Sequence, residues 1–255
     1  MILCYTIRQE GVMGNLVAVL PVVFVGAFLQ ANIGFGFPII AMIVFPRLFA
    51  FSTAVTLTQL IAMASTGYLM VRYWKKIQWK TLFPLLFTSL LIAGFVTVFS
   101  LSVEGGKLVI ILGIALVAIS LYFVAFSQSI QIQARPRNGL LMGTIAGFGN
   151  GFFGIGGPPV ALYLLPAVPG KIEYLATIQA YFFFCNIESI FIRILNGALV
   201  VEQLPLIPLG WITIGLGTFM GLKLFDKIPA ALLKRIVYLF VGFSGLWIII
   251  EVLLT

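Results

Sequence analysis

Histidine is absent from these 255 residues, and the chain holds only 7 acidic residues and 2 cysteines. Without imidazole, the usual haem, zinc and redox-metal ligand sets cannot be assembled. So few acids, with only one deep in an apolar run, leave little to coordinate an inorganic cation. Paired carboxylates, a Ser–His couple and a Cys–His couple are all missing, so catalysis has no candidate residues. Cys4 lies near the N-terminus and Cys185 deep in an apolar run, which implies no disulfide framework. The expectation is a protein that is not an enzyme and needs no metal or cofactor.

Charge is scarce as well. Charged residues make up 9% of the chain and hydrophobic ones 62%, with a mean hydropathy of +1.17. A soluble domain of that composition would expose far more apolar surface than water tolerates. Uncharged runs at 11–46, 48–71, 81–103, 108–134 and 138–170 each exceed the ~20 residues that cross a bilayer as a helix. The class this predicts is an all-α polytopic membrane protein with the lipid bilayer as its surroundings. The net charge of +8 does not point to nucleic acid, because the lysines and arginines cluster in short loops between apolar runs. The segment Met1–Glu10 has Arg8 as its one cation and no small-residue cleavage pattern follows, so the first apolar stretch reads as retained.

What the sequence has in quantity is glycine and proline, in unexpected places. "GFGNGFFGIGGPP" (147–159) places six glycines and two prolines inside an apolar run. These are the poorest helix formers, costing about 1 and 3 kcal/mol each relative to alanine. The pattern repeats: a shift of 120 residues aligns Phe28 with Phe148, Gly34 with Gly154, Gly36 with Gly156 and Pro38 with Pro158. It also aligns Ala41 with Ala161, Pro46 with Pro166 and Gln59 with Gln179. This predicts two halves, a construction common in transporters. The first, 1–127, has a broken element at 12–46 and helices at about 52–72, 81–102 and 107–127. A polar linker covers 128–138. The second, 139–255, has a broken element at 139–169 and helices at about 173–195, 204–222 and 232–252.

Loop charge bears on how the broken runs cross. If each crosses once, eight cations fall on one side and seven on the other. If each folds back as a hairpin, only Arg8, Arg47, Lys107 and Arg193 lie outside, and the other eleven lie inside. The positive-inside rule favours the second arrangement, inverted repeats with both termini outside.

Irregular backbone survives in a bilayer only where protein covers it or a cavity adjoins it. Each glycine segment is followed by a proline suited to the first turn of a new half-helix, Pro38 in one half and Pro158–Pro159 in the other. The free N–H groups and positive dipole end of such a half-helix form an anion-binding device without a cationic side chain. The candidate substrate-binding residues are therefore Gln30, Asn32, Gly34, Phe35, Gly36, Pro38, Asn150, Gly154, Gly156, Gly157 and Pro158. Close helix packing is the competing account of the glycines. The next helix of each half adds Thr56, Thr58, Gln59, Ser65 and Thr66, then Thr177, Gln179, Cys185 and Asn186. Of these Gln59, Gln179 and Asn186 join the candidate site, with interhelical hydrogen bonding as the alternative. Glu188, an intramembrane carboxylate, is a candidate for proton coupling, although the repeat matches it with Tyr68.

The stretches "FLQANIGFGFPIIAMIVFP" (28–46) and "GFGNGFFGIGGPPVALYLLP" (147–166), within the duplicated layout, resemble the TauE/SafE sulfite exporter family, also called the toluene sulfonate uptake permease family. The first stretch reads Gly34-Phe35-Gly36-Phe37 where the family often has a glycine triplet. The resemblance implies a multi-pass permease of the bacterial inner membrane for sulfite or an organosulfonate. Export of sulfite by alternating access is the leading expectation. Uptake or export of another small anion, an anion channel and a membrane scaffold without flux remain alternatives, as does a homo-oligomeric state.

Overall fold

The computed structural model describes residues 12–126, 135–168, 170–198, 203–224, 242–243 and 245–250. Most of the linker expected at 128–138 and of the helix expected at 232–252 lie outside the described residues, as do Cys4 and Arg8. Every regular element described is helical. In order these are α1 (Val12–Ile33), α2 (Phe37–Leu48), α3 (Phe51–Arg72), a 3-10 turn (Trp74–Lys76), α4 (Trp79–Leu101) and α5 (Gly105–Phe126). Then come α6 (Pro136–Phe153), α7 (Gly157–Ala167), α8 (Lys171–Leu195) and α9 (Leu206–Leu224). Among the described residues, five segments are long and apolar enough to cross a membrane: Leu16–Ile33 of α1, and α3, α4, α8 and α9.

α2 and α7 are different. Their 12 and 11 residues rise only about 18 and 17 Å, well short of the ~30 Å hydrocarbon core. Both fold back on the helix before them. A Cβ on Gly26 of α1 would lie 3.0 Å from the Phe37 Cα of α2, and one on Gly139 of α6 would lie 3.0 Å from the Tyr163 ring of α7. The breaks are therefore the tips of two helical hairpins.

Glycine lets the hairpins dock closely. Gly143, Gly147 and Gly151, four residues apart on one face of α6, lie against the α4 backbone at Leu85, Ser89 and Ala93. A Cβ on Gly147 would come within 2.9 Å of the Ser89 carbonyl oxygen, and one on Gly151 within 3.0 Å of that of Ala93. α1 and α9 pack the same way, but here the glycines are on the other partner. Gly217 and Gly221 of α9 lie against the carbonyls of Phe24 and Phe28 and the methyls of Ala27 and Ala31. Lipid offers no hydrophobic drive between helices, so this close van der Waals contact is what holds them.

α3 and α8 cross the middle of the molecule in opposite directions, with Ser52 beside Arg193 and Gly67 beside Phe183. α4 and α8 run together, paired at Gln78–Thr177, Ser89–Tyr181, Gly94–Glu188 and Ser100–Arg193. At one end Lys76 pairs with Glu173 at 3.0 Å, joining the turn before α4 to the start of α8. Phe83, Phe87 and Phe95 of α4, and Trp211, Ile212 and Phe219 of α9, face outward as a hydrocarbon-contacting surface requires.

Candidate functional site

In the first break the Gly34 N–H donates to the Gln30 carbonyl at 2.8 Å, closing α1. Gly34 and Gly36 then take φ values of 94° and 142°, a region where a side chain is strained. α8 covers this turn. Gln179 Nε2 donates to the Gly34 carbonyl at 2.8 Å, the Tyr174 hydroxyl to the Ile33 carbonyl at 3.1 Å, and Gln30 Nε2 to Gln179 Oε1 at 3.2 Å. Residues 149 positions apart in sequence thus share one buried amide chain. Gln30 Oε1, also buried, has no partner.

In the second break Gly154 is left-handed, with φ 69°. Its N–H donates to the Asn150 carbonyl at 2.9 Å, and the Ile155 N–H to the Gly149 carbonyl at 3.0 Å. Gly156 has an ordinary φ of −107°, so its glycine serves another purpose. A Cβ there would lie 2.7 Å from Asn150 Nδ2, because the Asn150 amide packs directly on the backbone. Asn150 Nδ2 donates to the Tyr181 hydroxyl at 2.9 Å, and that hydroxyl shares a 2.5 Å hydrogen bond with Ser89. Here α3 is the neighbour: Gln59 and Val55 face Gly154. Gln59 Oε1 is buried without a partner.

The two breaks meet. A Cβ on Gly157 would lie 2.7 Å from the Phe35 Cβ, so the tip of one hairpin rests on the start of the short helix of the other. α2 and α7 both begin there with no side-chain cap and with proline in the first turn. Pro38, Pro158 and Pro159 lack N–H groups, which leaves those of Phe37, Ile39 and Gly157 as first-turn donors without a preceding helical carbonyl. Gln30, Gln59, Asn150 and Gln179 are each 2% exposed or less. The arrangement is a buried cluster of neutral amides beside two uncapped helix starts, with no carboxylate among its residues.

Other residues singled out in the sequence lie elsewhere. Asn32 spends its amide N–H groups on the carbonyls of Phe28 (2.8 Å) and Gly221 (3.2 Å), tying α1 to α9. Asn186 is buried two turns beyond Gln179, and no hydrogen bond joins it to the cluster among the described residues. Thr56, Thr58, Ser65 and Thr66 donate to carbonyls of their own helix three or four residues back, and Thr58 also approaches Met42 Sδ of α2 at 3.9 Å. Thr177 does both, donating to the Glu173 carbonyl and accepting from the Gln78 N–H. Glu188 faces Gly94 of α4, its Oε2 buried and without a partner.

Arg193, which the sequence places near the membrane edge, lies two residues from the end of α8 and is 1% exposed, enclosed by protein. Its guanidinium sits among Ser52, Ser100, Ser189 and the Gly151 carbonyl. A lone arginine near the end of an apolar run resembles an edge anchor, and nothing local identifies serines that are distant in sequence as its partners.

No curated protein and no solved structure gives a match to the chain. The profile of the family described as Sulfite exporter TauE/SafE matches residues 19–248. That span takes in both hairpins, the α3–α8 crossing and the glycine-lined contacts that hold them. The chain therefore belongs to the TauE/SafE sulfite exporter family of membrane transporters.

Proposed function

We propose that the chain is a secondary transporter that carries a small sulfur oxyanion, sulfite above all, by alternating access around the paired breaks. The observation that carries this reading is the contact of Phe35 with Gly157, which brings two uncapped helix N-termini to one buried place. Two positive dipole ends and the amides of Gln30, Gln59, Asn150 and Gln179 suit an anion small enough to approach a glycine backbone.

Helix directions support two inverted halves. α3 and α8 are equivalent under the 120-residue shift, and they run in opposite directions. α1 lies along α9 as α6 lies along α4, so exchanging the halves turns one pair into the other. The Lys76–Glu173 pair supports placing the loops around 75 and 171 on one face, and the positive-inside rule makes that face cytoplasmic. An anion leaving a negative interior gains about 2.3 kcal/mol per charge per 100 mV, enough to drive export without a coupled ion. Glu188 is the group that could add proton coupling, and Glu188→Gln should then remove only the dependence on a pH gradient.

Radiolabelled sulfite flux in proteoliposomes tests the reading. Gly156→Leu and Gln179→Ala should each reduce it strongly, and full flux in both variants would discard the site. Flux that never saturates would assign a channel instead, and competition by an organosulfonate ranks the two substrate classes. For topology, cysteine labels near 75 and 171 should react from one face and a label near 107 from the other.

A further inference from the structure

Arg193 is the one charged side chain fully enclosed among the described residues. Four helices supply its contacts: Nε donates to Ser189 Oγ of α8 at 3.4 Å, Nη1 to Ser52 Oγ of α3 at 3.4 Å, and Nη2 to Ser100 Oγ of α4 at 3.4 Å and the Gly151 carbonyl of α6 at 2.8 Å. No carboxylate pairs with it among the described residues, and Glu188 on the same helix faces Gly94.

Burial of an unpaired cation is expensive, because the hydration it loses must be replaced. The C-terminal ends of α4 and α8 lie beside Arg193, but helix dipoles return only a fraction of that cost. The hydroxyls return little more. Three of the four contacts stand at 3.4 Å, whereas well-made charge-assisted bonds lie near about 2.7–2.9 Å. The guanidinium is thus loosely ringed and lacks a negative partner.

The surroundings are also short of acceptors. Ser52 and Ser189 accept from Arg193, and their own hydroxyl protons find no acceptor among the described residues. Thr97, one turn before Ser100 on α4, has a buried hydroxyl with no partner at all. Gly151 stands one turn before Gly154, so this cluster adjoins the second break directly. The 120-residue shift places Tyr73 at the position matching Arg193, so the repeat supplies no second arginine there.

We propose that Arg193, with the hydroxyls of Ser52, Ser100 and Ser189, forms a second station for the transported oxyanion, between the second break and the membrane face opposite Lys76 and Glu173. The inference rests on the transport reading above. A planar guanidinium offers an oxyanion two parallel N–H donors, and the Ser52 and Ser189 hydroxyls add more, while Ser100 holds its proton on the Thr97 carbonyl at 2.7 Å. The station joins helices from both ends of the sequence, so an anion held there replaces the loose ties that link α3 and α4 to α6 and α8.

The test compares sulfite KM and maximal flux in proteoliposomes for wild type, Arg193→Met, Arg193→Lys and the double variant Ser52→Ala/Ser189→Ala. The sulfite-induced rise in Tm in detergent is followed in parallel. Arg193→Met should raise KM about tenfold or more, as expected for loss of hydrogen bonds to a charged group. Arg193→Lys should raise it a few-fold, because lysine keeps the charge and loses the fork. The double serine variant should raise KM about threefold while leaving the Tm of the ligand-free protein close to wild type. Unchanged KM in both Arg193→Met and the serine variant would overturn the station and leave Arg193 a structural group. If Arg193→Met does not fold, the serine variant decides: raised KM supports the station, and wild-type KM overturns it. Wild type that moves no sulfite would sink the transport reading instead. The station would then stand if sulfite stabilises wild type more than Arg193→Lys, and fall if it does not.

Discussion

The two breaks carry the same Gly-x-Gly-x-Pro signature and are built for different reasons. At the first, both glycines have positive φ, and the turn is held by neutral amides from α8. At the second, Gly156 has an ordinary φ, but a side chain there would collide with Asn150. That turn is held through Asn150, a tyrosine and a serine, and its helix is held by the Arg193 guanidinium. The second glycine of the pair thus meets a conformational demand at Gly36 and a demand for close approach at Gly156. A repeat in sequence specifies where the chain opens without specifying what closes around it.

Equivalent substitutions should separate those demands, and the largest contrast is expected at the first glycine of each pair. Gly34→Ala meets a left-handed backbone and a Tyr174 contact of 2.9 Å. Strain and overpacking together should cost about 3 kcal/mol. Gly154→Ala has room, its nearest neighbour being Gln59 at 3.4 Å, and should cost only the strain, about 1–2 kcal/mol. Thermal unfolding in detergent measures both, and equal losses would erase the distinction.

The glutamines come next. Gln179→Ala strips the Gly34 carbonyl and Gln30 of their partner, an expected loss of about 2 kcal/mol. Gln59 makes no amide hydrogen bond among the described residues, so Gln59→Ala should barely move Tm and act mainly on sulfite KM. A similar fall in Tm for both would show that Gln59 is structural after all. A smaller effect again, about 1 kcal/mol, is expected for Tyr181→Phe, which removes the hydroxyl between Asn150 and Ser89. Last, Gly36→Ala meets nothing closer than 3.6 Å. Its cost is backbone strain alone, about 1–2 kcal/mol, so it should leave flux nearer to wild type than Gly156→Ala, which pushes the Asn150 amide aside.

Much of the architecture was legible from local chemistry. Gly34, Gly36 and Gly154 are where helices cannot continue cheaply, and Pro38 and Pro158 are where they restart most easily, so the interruptions follow from propensity alone. That the chain is helical and membrane-embedded follows from runs of apolar residues longer than a bilayer is thick. The polar positions Gln30, Gln59, Asn150 and Gln179 stand out because a carboxamide deep in an apolar run needs a partner. Which partner it takes was not legible. Gln179 bonds to the first break, 145 residues away, because the two hairpins dock against opposite crossing helices. For the threonines of α3 interhelical hydrogen bonding is one of two readings of the sequence; Thr56, Thr58 and Thr66 bond to nearer carbonyls of their own helix, and Thr58 also reaches Met42.

Sequence by itself therefore determined the class and the two interruptions. These depend on residue type and on neighbours a few positions away. Tertiary structure alone decided that Phe35 rests on Gly157, that α8 covers the first break and α3 the second, and that Arg193 is enclosed by Ser52, Ser100 and Ser189. Those outcomes depend on which helix faces meet once glycine allows backbones to touch. A buried charge is defined by everything around it, and what surrounds Arg193 comes from four helices scattered along the chain.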